Sequence, residues 1–339
     1  MKKTLKAMLA LTMISPLLSA PACAADKSIY GEDNRIELYN ASPETRRLAD
    51  SVVSFWKSAQ VRSAPGDKAV SLETEKFADA HDLCPGEKFS GQPMGAFCSG
   101  SLVGEDLIMT AGHCIVNQAE CDDARLVFGF ALKSRNAGAA VRIGQEDVYT
   151  CKKVVSRFLG GEPGFLGPKP YGPDYALIQL DRKVAGHKPL AINRGGGLKN
   201  GDKLMVIGHP VGLPLKIAAG ATVRDVYPHG YFVTDLDTFG GNSGSPVFNA
   251  ATGLIEGILV RGDNDFTYSP EAGCTTMAAS PQNGGRGEDV TKISVLESFI
   301  PELAGTDRAK EPSVRDINAA RQIKPGQYDL SRYFSGGFQ

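Results

Sequence analysis

An all-β fold is predicted for the body of this chain, and three observations predict it. Between Cys84 and Arg261 short apolar runs recur, among them "GSLVGEDLIMTA", "ARLVFGFAL", "YALIQLD", "DKLMVIGH", "GYFVTDLD" and "GLIEGILV". Gly, Pro, Asn and Asp separate them, which is the texture of sandwiches and barrels. The strand–helix alternation of a parallel α/β sheet is missing. No internal repeat of fixed period points to a solenoid.

The remaining elements follow in order. Residues 1–25 read as a secretory leader: "MKK" supplies positive charge, "AMLALTMISPLLSA" is a short apolar run, and a small-residue cleavage site lies near Ala24 or Ala25. Cys23 lacks the Leu three residues earlier that lipid attachment would favour. Residues 26–83 are expected to be an N-terminal extension or pro-segment. In it, Ser42 can cap and Pro43 can open a helix running to Val61, with Leu48, Val52, Phe55 and Trp56 on one face. Residues 84–304 form the expected β domain, ending in a helix over Glu288–Leu303. Residues 305–339 read as a loose polar tail.

Composition excludes some functions. Without the leader's Lys2, Lys3 and Lys6 the net charge falls from −1 to −4, so nucleic acid is not an expected partner. No later stretch is long and apolar enough to span a membrane. Export places the chain in an oxidising compartment, secreted or periplasmic. Loss of Cys23 leaves six cysteines, an even count that favours disulfides.

Three runs carry residues of catalytic type: "TAGHC" (110–114), "PDYALIQLD" (173–181) and "GGNSGSP" (240–246). A serine hydroxyl is a weak nucleophile and needs a base within hydrogen-bond reach. Histidine can take that proton and return it near neutral pH. A carboxylate behind it selects the tautomer and stabilises the imidazolium. His113, Asp174 and Ser243 supply one of each. His81, His187, His209 and His229 lack such a context and are expected to be structural or exposed, His209 in a loop.

The order His, Asp, Ser around "GNSGSP" resembles the chymotrypsin/trypsin-like serine proteases, over roughly residues 97–300. The resemblance implies two antiparallel six-stranded β-barrels and a disulfide Cys98–Cys114 beside the histidine. Closing that short loop would contribute about 3 kcal/mol in the chain-entropy model. It also implies an oxyanion hole made by the backbone N–H groups of Gly241 and Ser243. Cys121 can pair with Cys151 and leave Cys84 with Cys274, although three pairings of these four are open.

Departures from the animal pattern are informative. Asn242 precedes the serine where animal zymogens carry an Asp that pairs with a new N-terminal ammonium. The chain is more similar to the bacterial branch that includes the glutamyl endopeptidases. However, Leu259 stands where that branch places its Glu-reading histidine. Asp237, six residues before Ser243, matches the acidic base of a trypsin-like pocket, and Gly262 a pocket-edge glycine. The expected function is a secreted, monomeric serine endopeptidase, made as a zymogen, cleaving proteins or peptides after Arg or Lys. No cofactor or metal is expected: "RGDNDF" (261–266) lacks a calcium-ligand spacing and reads as a solvated loop. The alternatives are a non-catalytic homologue that binds a partner protein, or an esterase using the same triad.

Overall fold

The computed structural model describes residues 29–160 and 172–303; the expected leader and tail lie outside the described residues. Two closed antiparallel barrels of six strands dominate it. Around the first run strands Ala124–Phe128, Val148–Leu159, Asp174–Leu180, Leu107–Thr110, Cys98–Leu102 and Val52–Lys57. The last pairs back with the first through Val53↔Phe128 and Phe55↔Leu126. Around the second run Lys203–Gly208, Pro246–Asn249, Ile255–Arg261, Glu288–Lys292, Tyr231–Thr234 and Lys216–Asp225. It closes where Ile217 pairs with Ile207. Closure removes the exposed strand edges that an open sheet would present.

Two predicted helices are corrected. The first exists only over Pro43–Ala49, where the Ser42 side chain accepts the Thr45 N–H as predicted. Beyond it, Val52–Lys57 is a strand of the first barrel with both faces covered. Val53 and Phe55 enter the main core, and Trp56 packs instead with Val70, Leu72, Phe130 and Ile143. Apolar residues on both faces of a strand can mimic helical spacing, and the β-branched and aromatic content of "VVSFW" decides for the strand. The terminal helix is the strand Glu288–Lys292 followed by 3-10 turns at Ile293–Val295 and Glu297–Phe299. Those turns bury Ile293, Leu296 and Ile300.

The boundary expected at residue 84 therefore does not separate an extension from a domain. Residues 52–57 complete the first barrel, and Arg35–Glu37 adds a seventh strand to the second along Lys216–Ala218. Ile29–Tyr30 pairs with Ala279–Ser280. The buried Lys216 ammonium lies 3.3 Å from Glu37, which ties this N-terminal arm to the barrel, and within the arm Arg35 holds Asp33 at 2.7 Å.

Three disulfides join Cys98–Cys114, Cys121–Cys151 and Cys84–Cys274. The last ties the insertion between the first two strands of barrel one to a hairpin of barrel two, across 190 residues. Replacing both Cys84 and Cys274 by serine is expected to lower stability by about 2–5 kcal/mol, read as a lower urea midpoint. An unchanged midpoint would show that the crosslink constrains nothing the fold does not already hold.

Candidate active site

The predicted aspartate and histidine meet between the barrels. Asp174 opens its strand and is 1% exposed, while His113 sits on the turn after Leu107–Thr110. His113 Nδ1 lies 2.7 Å from Asp174 Oδ2. The other carboxylate oxygen accepts the N–H of Gly112 at 2.6 Å and of His113 at 3.2 Å. Backbone donors thus lock the carboxylate, and the carboxylate orients the ring. Asp174 is held in turn from barrel two: its N–H donates to Thr291 Oγ1 at 2.9 Å, and that hydroxyl donates to its carbonyl at 2.8 Å.

Ser243 reaches the same face by a different route. Its carbonyl accepts the Ser99 N–H at 2.9 Å and lies 3.6 Å from Cys114 Sγ, in the disulfide next to His113. Among the described residues its hydroxyl makes no hydrogen bond to His113. Ligand-free sites of this kind often hold that contact long, and it tightens on substrate.

The turn 240–246 needs its glycines. Gly241 has φ +79°, and a Cβ there would stand 2.6 Å from the His209 carbonyl. Gly244 has φ +90°, and a Cβ there would strike the Ser99 carbonyl. Both conformations are open to glycine and strained for other residues. Among the described residues neither the Gly241 nor the Ser243 N–H donates to a protein acceptor, so both amides are available to an oxyanion. Asn242, between them, is buried, accepts the Ser245 hydroxyl at 3.4 Å and carries no charge for an ammonium to meet.

His209 is structural and lies in a loop, as expected, and it is buried there. Its Nδ1–H donates to the Leu213 carbonyl at 3.0 Å, and burial pushes its pKa down to about 3, so the ring stays neutral. Its N–H donates to Ser99 Oγ, which donates to the Gly241 carbonyl at 2.8 Å, bracing the serine turn from behind. His187 is also structural: it stacks on Phe128 and lies between Asp50 and Asp147.

Beside Ser243 lies a cavity of about 140 Å³ lined by Thr238, Leu259, Gly262, Asp265 and Glu288 among others. Gly262 is in its wall. Leu259, which the resemblance puts in place of a Glu-reading histidine, also lines it and brings no side-chain donor. The 261–266 segment is not simply solvated, since Asp265 lines the cavity and accepts the Gly240 N–H at 2.7 Å. His113 lies within reach of Cys98 and Cys114, but those thiols are spent in a disulfide and offer no metal ligand.

The pocket assignment of Asp237 is corrected. Asp237 does not line the cavity; its oxygens accept the backbone N–H groups of Tyr30 and Asn34, both at 2.8 Å. It anchors the N-terminal arm beneath the pocket. Burial pushes its carboxyl up to about 6, against the two N–H donors that favour the ion. Asp237→Ala would orphan the buried Tyr30 N–H, at a cost of about 1–3 kcal/mol, and release the more exposed Asn34 N–H. The expected result is accelerated amide exchange at Tyr30 and Asn34; exchange at the wild-type rate would show that the carboxylate does not hold the arm.

Sequence reasoning missed Glu288 and Tyr30. Glu288 is 2% exposed in the cavity wall, where its oxygens accept the Tyr30 hydroxyl at 3.1 Å and the Thr238 hydroxyl at 2.7 Å. Its position in "RGEDVTK" was hidden by the helix expected there.

The chain is similar to several known proteins. Over 185 residues, 52% of this chain, the sequence is 30% identical to the glutamyl endopeptidase of Staphylococcus epidermidis, and the chain spans 58% of that relative's length. Solved structures that resemble it include the VesB protease of Vibrio cholerae, at TM-score 0.45 and 15% identity over 78% of this chain and 65% of that one. Human heparin binding protein aligns at TM-score 0.44 and 16% identity, over 79% of this chain and 94% of that one. Residues 98–258 match the trypsin-like peptidase domain, a span that contains His113, Asp174 and Ser243. Over that span the chain resembles the trypsin-like peptidases.

Proposed function

We propose that the protein is a secreted or periplasmic serine endopeptidase that cleaves after Arg or Lys. The observation that carries the reading is the His113–Asp174 pair, locked at 2.7 Å with Ser243 presented beside it on a glycine-framed turn. His113 Nε2 takes the proton of Ser243 Oγ as that oxygen attacks the scissile carbonyl. The developing oxyanion accepts the Gly241 and Ser243 N–H groups, where loss of one donor typically costs about 3 kcal/mol. The protonated imidazole then gives its proton to the leaving amine, and water repeats the sequence on the acyl-enzyme. No step calls for a cofactor, and the substrates are proteins or peptides.

A buried carboxylate beside Ser243 supports preference for a basic side chain, because Glu would meet repulsion there and Leu would leave the charge unpaired. The three disulfides suit an oxidising compartment. If the chain is made as a zymogen, its activation does not use an ammonium pairing with Asn242, which is neutral. The docked arm supports the pocket through Asp237 instead.

A serine-directed phosphonate is expected to label the protein once, at Ser243, by mass spectrometry. No labelling would favour a non-catalytic protein that binds a partner. Labelling with hydrolysis of esters, but not of matched peptides, would favour an esterase.

A further inference from the structure

We propose that Glu288, not Asp237, selects the substrate side chain, its carboxylate taking the cationic head of a lysine or arginine that enters the cavity beside Ser243. The inference rests on the serine endopeptidase reading and names the residue that gives it specificity.

Three buried carboxylates have a basic partner: Glu37 has Lys216, Asp289 has Arg261 and Arg286, and Asp174 has His113. Among the described residues Glu288 makes no ion pair, although it is 2% exposed. Glu256, Asp235 and Asp237 also lack a cation there, but N–H groups donate to each of them and none lines the cavity, whereas among the described residues Glu288 accepts only the Tyr30 and Thr238 hydroxyls. A buried carboxylate without a counter-charge is costly, and one that faces a cleft is a candidate for binding an external cation.

The local construction keeps that carboxylate open and fixed. Gly262 lies against Glu288 Oε2, so any side chain at position 262 would cover the oxygen. Tyr30 is a positioning residue: its hydroxyl donates to Glu288 Oε1 and accepts the Gly287 N–H at 3.1 Å. The Tyr30 N–H is anchored on Asp237, so the arm sets the height of the pocket carboxylate. The charged and titratable groups around Glu288 and its cavity are Tyr30 from the arm; Arg261, which pairs with Asp289; Asp263 and Asp265 from the segment after Arg261; and Arg286 from the segment of Glu288 itself. Burial holds the Glu288 carboxyl well above the usual carboxylate range, reinforced by Asp265 and opposed by Thr238, Tyr30 and Arg286. An entering cation favours the ionised form, so cation binding strengthens as pH rises through that titration.

The test uses benzamidine, a small amidinium, and calorimetry on the full chain carrying Ser243→Ala, which needs no turnover. Adding Glu288→Gln is expected to weaken binding by about 30-fold or more and to remove its rise with pH. Adding Glu256→Gln, at a buried carboxylate that does not line the cavity, should change it less than about 3-fold. Gly262→Ala, which pushes a Cβ onto Glu288 Oε2, should weaken it too and covers the case in which Glu288→Gln folds poorly. In the Ser243 protein, Glu288→Gln should collapse the kcat/KM ratio of Arg to Leu peptides by a similar factor. Benzamidine binding unmoved by both Glu288→Gln and Gly262→Ala would overturn the proposal, as would wild-type preference for Glu or large apolar residues. Phosphonate labelling of wild-type Ser243 distinguishes the two failures: if it persists, the nucleophile stands and only the pocket assignment falls.

Discussion

Ser243→Ala is expected to lower kcat/KM on peptides by about 10⁴- to 10⁶-fold while the protein folds normally. The size follows from the chemistry: without a nucleophile, only the oxyanion amides and substrate binding remain, and such residual sites keep a small fraction of the acceleration. The fold is expected to survive because the contacts that hold this turn use the backbone. The Ser243 carbonyl still accepts the Ser99 N–H, and the Gly244 N–H still donates to Leu259. Groups that act as one unit are not additive. His113→Ala placed on Ser243→Ala should therefore cost little more. The checks are kcat/KM for the single and double variants and their thermal midpoints. Hydrolysis undiminished in Ser243→Ala would remove Ser243 as nucleophile, and a further large loss in the double variant would give His113 a role independent of the serine.

The residues of the candidate site were legible because each lies in a compact run of residue types suited to nucleophilic catalysis. "TAGHC" places a histidine where a strand ends, and "GGNSGSP" can only be a turn with unusual backbone angles. The all-β class was legible for a similar reason, since closed antiparallel barrels leave short strands with turn residues between them. What was not legible depends on distance in sequence. Asp237 looks like a pocket acid from its offset to Ser243, but its carboxylate is taken by N–H groups some 207 residues away. Nothing near residue 237 announces that. Glu288 acquires its role from Tyr30 and Thr238, and "EDVTKISVLESFI" has enough helical spacing to conceal a strand. The Trp56 strand failed likewise: its outer face is covered by the 61–72 and 139–148 segments, so the alternation that marks a half-exposed strand is absent.

Asp174→Asn should lower kcat by about 10⁴-fold with little change in KM. This carboxylate makes three hydrogen bonds. One oxygen serves two backbone donors, Gly112 and His113, and the other faces His113 Nδ1. An asparagine keeps only one acceptor oxygen. Leaving it with the two buried N–H groups is favoured, because turning it away would orphan them at about 1–3 kcal/mol each. The amide NH₂ then faces Nδ1 and must donate to it. His113 is forced into the tautomer with its proton on Nε2, the nitrogen that has to accept the proton of Ser243. The ring stays in place but is in the wrong protonation state. Geometry and cavity are untouched, so substrate affinity is expected to persist, and the thermal midpoint should move by only a few degrees. Steady-state kinetics with an Arg peptide checks the kcat against KM split. Asp174→Asn activity within about tenfold of wild type would mean that the carboxylate does not set the tautomer, and that the 2.7 Å contact serves the fold alone.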